Sequence, residues 1–390
     1  MKNLDTVLAY VSSNLTNTES VKLDCQSIVK FSHKWLQLKE PSDMNKFPEE
    51  TQAEDLSLEL INNEVAKDPL LMLLCLLFEE KTEIPSELCQ LYKEGLEILL
   101  NKWDEARCVK GDRVYKNLSL QRKQDLLSKI ALLTFEEGEF FFKDEIQQHI
   151  IDYFFNLSNA PTEPDVLKIA SEAALKSIES QHKLLVEQAN GIYSFSDLRF
   201  HQYFVAREIA EGCNPQESDL ALKNLVSHLN ETRWREVFLL VVGMLRNADY
   251  LLSLMQQKTD AILATDRELQ NFLLWLNQKS NTAGAGYKPS TIRAFYLEFI
   301  LDIDSEESFE DNTTECDRIN PLDIDISYEI VNFPFSLQQK AVLKQYYDAN
   351  KLLIDCLQEA RYVSRAMRSE IEEKLLVPSQ VNTQPNSAIA

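Results

Sequence analysis

The sequence predicts a mainly α-helical fold relieved by one small β-hairpin, and three observations lead there. Only eight of the 390 residues are glycine, too few turn-formers for a protein rich in hairpins. A single Asn-Gly pair, Asn190-Gly191, joins two strand-like runs in KLLVEQANGIYSFSD. Two adjacent residues that tolerate positive φ between such runs are a strong hairpin signal. Nearly all the rest divides into segments whose apolar residues recur at helical spacing.

Taken in order, residues 2–16 and 25–37 form two helices, the second with Ile28, Phe31 and Trp35 on one face. A polar, proline-bearing connection over 38–52 follows. Next comes KDPLLMLLCLLFEE, with nine apolar residues in a row after Pro69. Nine helical residues rise about 14 Å, whereas a membrane span takes roughly 20 residues. The stretch is therefore a buried helix, started by a proline whose missing N–H costs nothing in the first turn. IPSELCQLYKEGLEILLNKW repeats apolar residues at 88, 91/92, 96, 99 and 103 behind Ser86 as N-cap, and is expected to cover it. Residues 1–117 thus make one helical segment.

Residues 118–213 differ in texture. A helix around Leu126, Leu127, Ile130 and Leu133 ends near Gly138, EFFFK can form a short strand, and DEIQQHIIDYFF and DVLKIASEAALKSIES are two further helices before the hairpin. Three helices followed by a two-stranded wing define a winged-helix domain. Residues 214–301 return to amphipathic units of 10–14 residues with short breaks, the pattern of stacked helical hairpins (HEAT-like) without a fixed repeat period. Residues 302–335 carry eleven acidic residues against Arg318 and are expected to be an acidic flexible loop. A helical pair, 336–348 and 350–375, fills 336–376, and 377–390 is a low-complexity, disordered tail.

The composition narrows the function. With 62 acidic and 40 basic residues the net charge is −22, a field that repels nucleic acid and anionic lipid. Seven cysteines form no CxxC pair, as expected of packed thiols in a cytoplasmic protein. No glycine precedes a lysine, so GxxxxGK[ST] is absent, and GxGxxG and GxSxG are absent too. The five histidines form no HxxxH pair. His201, beside Phe200 and Tyr203, has the setting of a structural histidine. Asp302, Asp304 and Glu306 have calcium-like spacing, but Glu307 stands where an EF-hand loop needs glycine and Thr313 where it needs glutamate. No catalytic residue and no metal site are expected.

Several stretches resemble one family. DPLLMLLCLLFEE is similar to the NPLLLTLLCLVFEE helix of bacterial NACHT-type STAND signalling ATPases, relatives of the NLR immune receptors. LYKEGLEILLNKWDEAR resembles the segment that follows it there. LLVEQANGIYSFSDLRFHQYFVAREI resembles the family's winged-helix end, usually close to YSFSHLTFQEYFAAREI. RWREVFLLVVGMLRNADYLL and LLIDCLQEARYVSRAMRSEIEEKLLVP are similar to its helical regions beyond. The likeness covers about residues 22–378.

The resemblance implies that 1–117 is a NACHT-associated helical lid segment and 214–301 a helical regulatory domain. It places Pro69 near bound adenine. It also puts Asp197 where the family has a phosphate-sensing histidine, so both are vestigial nucleotide-proximal positions and no cofactor is expected. The family's phosphate-loop core, due before residue 20, has no counterpart in these residues. The expected role is a non-catalytic regulatory or interaction module of a NACHT signalling system in bacterial defence, acting in trans or as a truncated remnant. Its partner would be a NACHT nucleotide-binding chain or a second copy, met on the surface formed by residues 20–85 and 184–205, Asp197 and His201 included, with no nucleic acid or membrane involved. The alternative is the C-terminal half of an active NACHT ATPase whose P-loop half is encoded upstream. More distant is a winged-helix transcription regulator, because DVLKIASEAALKSIES carries a net charge of −1.

Overall fold

A computed structural model describes residues 87–104, 113–157, 163–182, 184–212, 215–282, 287–302 and 335–378. The expected helices before residue 86, Pro69 among them, the acidic run 303–334 and the tail 379–390 lie outside the described residues. The protein is mainly helical with one small antiparallel sheet, and the chain separates into two compact units, residues 1–204 and 205–390.

In the first unit, α1 (Leu88–Asp104) buries Leu91, Tyr92, Leu96 and Leu100 on one face. A single helical turn, α2 (Arg113–Lys116), leads to α3 (Leu120–Glu137). Ser119 caps α3 by accepting from the Arg122 N–H at 3.3 Å, and Gly138 ends it at φ 147°, where a side chain would be strained. The buried face of α3 holds Leu126, Leu127 and Ile130 as expected, but Leu133 is 47% exposed. Then follow β1 (Phe141–Phe142), α4 (Lys143–Phe155) and α5 (Pro164–Ser177), with a wide helical turn at Ile178–His182. The pair α4/α5 packs closely, and the Tyr153 hydroxyl donates to the Arg122 carbonyl at 3.0 Å, tying α4 to α3.

The hairpin is β2 (Leu185–Ala189) and β3 (Ile192–Phe195), and it gains a third strand: β1 pairs with β3, giving the order β1-β3-β2. The short EFFFK strand is thus part of the sheet. One detail of the turn differs from expectation. Gly191 alone is left-handed, at φ 75°, and Asn190 is not. A bulge between Glu187 and Ala189 takes up the mismatch. The Gly191 N–H donates to Glu187 Oε1 at 2.7 Å, and its carbonyl accepts from the Lys143 N–H at 2.9 Å, so the turn is held from two sides. Helix α6 (Leu198–Glu211) follows β3.

The second unit contains α7 (Pro215–Ser227), α8 (Arg235–Met244), α9 (Asp249–Ile262), α10 (Arg267–Thr282), α11 (Pro289–Asp302), α12 (Leu337–Glu359) and α13 (Arg365–Lys374). The break expected after residue 348 does not exist: α12 runs unbroken for 23 residues and the chain turns at 360–364. Asn350 is accommodated inside the helix because its Nδ2 donates to the Tyr346 carbonyl one turn back, at 2.8 Å. Helix α12 packs against α8, α9 and α11, while α10 and α11 pair as a hairpin and α7 packs on α9. One buried cluster unites Leu269, Phe272, Leu276, Ile292, Tyr296 and Tyr346. Arg235 of α8 donates to Asp355 of α12 at 2.6 Å.

Candidate functional site

The turn from β3 into α6 carries Asp197, the sequence-selected position within the described residues. The Ser196 N–H donates to the Leu184 carbonyl at 2.9 Å, fixing the chain direction. Asp197 then acts as the N-cap: its Oδ1 accepts from the Arg199 backbone N–H at 2.9 Å, the use for which aspartate is favoured at that position. The Arg199 side chain folds back on the same carboxylate, Nε to Oδ1 and Nη2 to Oδ2, both at 2.8 Å. Burial pushes the Asp197 carboxyl above its usual range, opposed by the Arg199 backbone N–H. Burial also lowers the Arg199 guanidinium to about 10. The result is a closed, two-pronged ion pair at a helix start. A phosphate approaching it would meet a carboxylate whose matching guanidinium is already engaged.

His201 lies one turn further on and is not a surface residue. It is 2% exposed, stacked on Phe195 at 4.4 Å between centroids and met edge-on by Phe135 at 4.9 Å. Its Nε2 is 2.9 Å from the Ala131 carbonyl and 3.1 Å from Thr134 Oγ1. A carbonyl can only accept, so Nε2 carries the hydrogen and pins α6 to α3. The structural reading of His201 holds. Its expected place on a docking face beside Asp197 does not, because the ring points into the aromatic core.

What the first unit does present outward is apolar. In β1, Phe141 faces the core against Tyr193 and Phe195, and Phe142, paired with Ile192 of β3, is 62% exposed. Phe140 is exposed to a similar degree. The outer side of α5 combines exposed Val166 and Ile169 with Asp165, Lys168, Glu172 and Lys176, two charges of each sign. Lys143 at the start of α4 reaches Glu172 at 3.7 Å. Tyr193 is pushed up to about 12 by burial and then by the nearby Glu179 and Glu187.

Among the described residues no group of three or more His, Cys, Asp or Glu is placed to hold a metal, and no helix is long and apolar enough to cross a membrane. Sequence reading found Asp197 but missed Arg199, although an Asp-x-Arg spacing at a helix start brings the two together. It also missed the outward phenylalanines, which the alternation of EFFFK signals, since one face of that strand must look away from the core.

These features define a helical protein whose small sheet exposes aromatic rings and whose helix-start acid is neutralised from within. Against known families, the model described as the NACHT C-terminal Helical domain 2 matches residues 318–378. The C-terminal region is therefore NACHT-related. The match begins inside the acidic run and takes in α12, the 360–364 turn and α13. No curated protein and no solved structure matches the chain.

Proposed function

We propose that the chain is a non-catalytic regulatory and interaction module of a NACHT-type (STAND) signal-transduction system in the cytoplasm. The observation that carries this reading is the family match over 318–378. The closed Asp197–Arg199 pair supports the absence of nucleotide sensing, and the helix-strand-helix-helix-hairpin order of α3 to β3 supports a winged-helix domain. The two acids and two lysines of α5, with exposed Val166 and Ile169 beside them, suit a protein contact better than a phosphate backbone, which rewards net positive charge. In this reading the module acts on a separate NACHT nucleotide-binding chain or on a second copy of itself.

Light scattering of the purified chain, alone and mixed with a NACHT nucleotide-binding fragment, tests it. A defined complex or a stable self-associated species is expected. A monomer that ignores the fragment at high micromolar concentration would overturn the interaction role. The same match favours a second reading, the C-terminal half of an active NACHT ATPase, and an in-frame phosphate loop in the upstream genomic sequence would select it.

A further inference from the structure

The C-terminal end of the second unit is fastened in an unusual way. Helix α13 is polar along its length, and Ile371 is its buried residue. Besides Ile371, a Lys288–Glu372 ion pair at 3.4 Å and an Arg368 donation to the Leu357 carbonyl at 3.5 Å, its hold on the bundle comes from its two flanks. Before it, the Ala248 N–H donates to the Tyr362 carbonyl at 3.1 Å, and the Ser364 N–H donates to Asp249 Oδ1 at 2.9 Å. After it, Leu376 enters the buried cluster of α10, α11 and α12, where it is 2% exposed, with Leu375 packed against the same cluster.

That entry requires a left-handed backbone. Leu376 has φ 58°, a conformation that strains a branched L-residue and persists only where the surroundings enforce it. Here two buried polar side chains enforce it, and both read the main chain. Asn350 Oδ1 accepts from the Leu376 N–H at 3.3 Å, and Arg293 Nε donates to the Leu375 carbonyl at 2.9 Å. Arg293 is itself 2% exposed, and its Nη1 donates to Asn277 Oδ1 at 2.9 Å. Among the described residues it meets no carboxylate, and burial lowers its pKa. A desolvated guanidinium facing only neutral acceptors is costly unless those acceptors stay in place.

Two backbone readers flanking a socket for one apolar side chain are what a peptide-binding groove consists of. Its ligand in this structure is the chain's own Leu375–Leu376 hook, joined to the bundle by a polar helix and a five-residue turn.

We propose that residues 360–378 form a releasable strap, and that the α10–α12 groove it fills binds the same segment of a second copy once the strap opens. The occupant follows from the seating itself, since every contact made within one chain can be made identically between two. Short turns of this kind favour such exchange. The inference needs neither nucleotide nor a NACHT partner.

A fluorescent peptide of residues 364–378, added to the full chain, tests it by polarisation alongside hydrogen exchange. The expected result is saturable binding, at least tenfold tighter to the Leu376→Ala chain, whose own hook is weakened, than to the unaltered chain. A peptide carrying the same Leu376→Ala change should not bind. Exchange of the α13 amides should proceed by local opening, faster than that of α8 and α9, and quicken further in the Asn350→Ala chain. An Arg293→Lys chain, which keeps the charge but loses the fork, checks any variant that fails to fold. The proposal is overturned if the folded Leu376→Ala chain, verified by circular dichroism, binds no peptide. It is equally overturned if binding is indifferent to the peptide's leucine, or if α13 exchanges only with the whole unit.

Discussion

At the scale of single residues, His201 has become a cornerstone of the core. Its ring fills space between Phe195 and Phe135 and bonds the Ala131 carbonyl. Replacing it by alanine removes both, so His201→Ala should lose about 2–4 kcal/mol of folding stability, read from the urea midpoint. Asp197 is a cap and an ion partner. Asp197→Ala should cost about 1 kcal/mol for the cap and more for the guanidinium left half-buried without its acid. Tyr193 supplies a pH test. Its folded pKa is raised to about 12 from the ordinary 10.0, so between those values the folded chain holds a proton that the unfolded chain has lost. Its contribution to stability is complete below pH 10 and is lost as pH rises through 12. Denaturation midpoints between pH 9 and 12 should fall more steeply for the unaltered chain than for Tyr193→Phe, and parallel curves would contradict this. Of these roles the sequence revealed Asp197 as a singular position and His201 as structural. The fork of Arg199 was missed although its spacing from Asp197 is local, whereas the outward turn of Leu133 was hidden, because spacing along a helix does not say what lies opposite each side chain.

At the scale of elements, the end of α3 and the hairpin were legible because their signals are local: Gly138 after α3 and Asn190-Gly191 between strands. The third strand was half legible, since two residues of strand carry little pattern and pairing with β3 is what defines it. The unbroken course of α12 was not legible. Asn350 is a poor helix former by propensity, and its hydrogen bonds to Tyr346 and Leu376 are known only once the fold is seen. The turn gives the sharpest test at this scale. Gly191 stands at φ 75° with nothing within 4 Å of a built Cβ, so a side chain there meets backbone strain without a clash. Gly191→Ala should cost about 1 kcal/mol, while Asn190→Ala, at a residue that is not left-handed, should cost less. Thermal melts of the two variants would show the order, and the reverse order would mean that Asn190 contributes a bond not evident in the turn.

At the scale of the whole molecule, two compact units share one chain, and the second ends in a NACHT-related region. The 390 residues hold no glycine-lysine phosphate loop, and Asp197 at the start of α6 is tied to its own arginine. The central claim of the proposed function is that this chain works through protein contacts and without nucleotide. Isothermal titration of the full chain with Mg·ATP and with Mg·ADP tests that claim most directly. The account predicts only dilution heats for both, and saturable binding at micromolar concentration of either would contradict it.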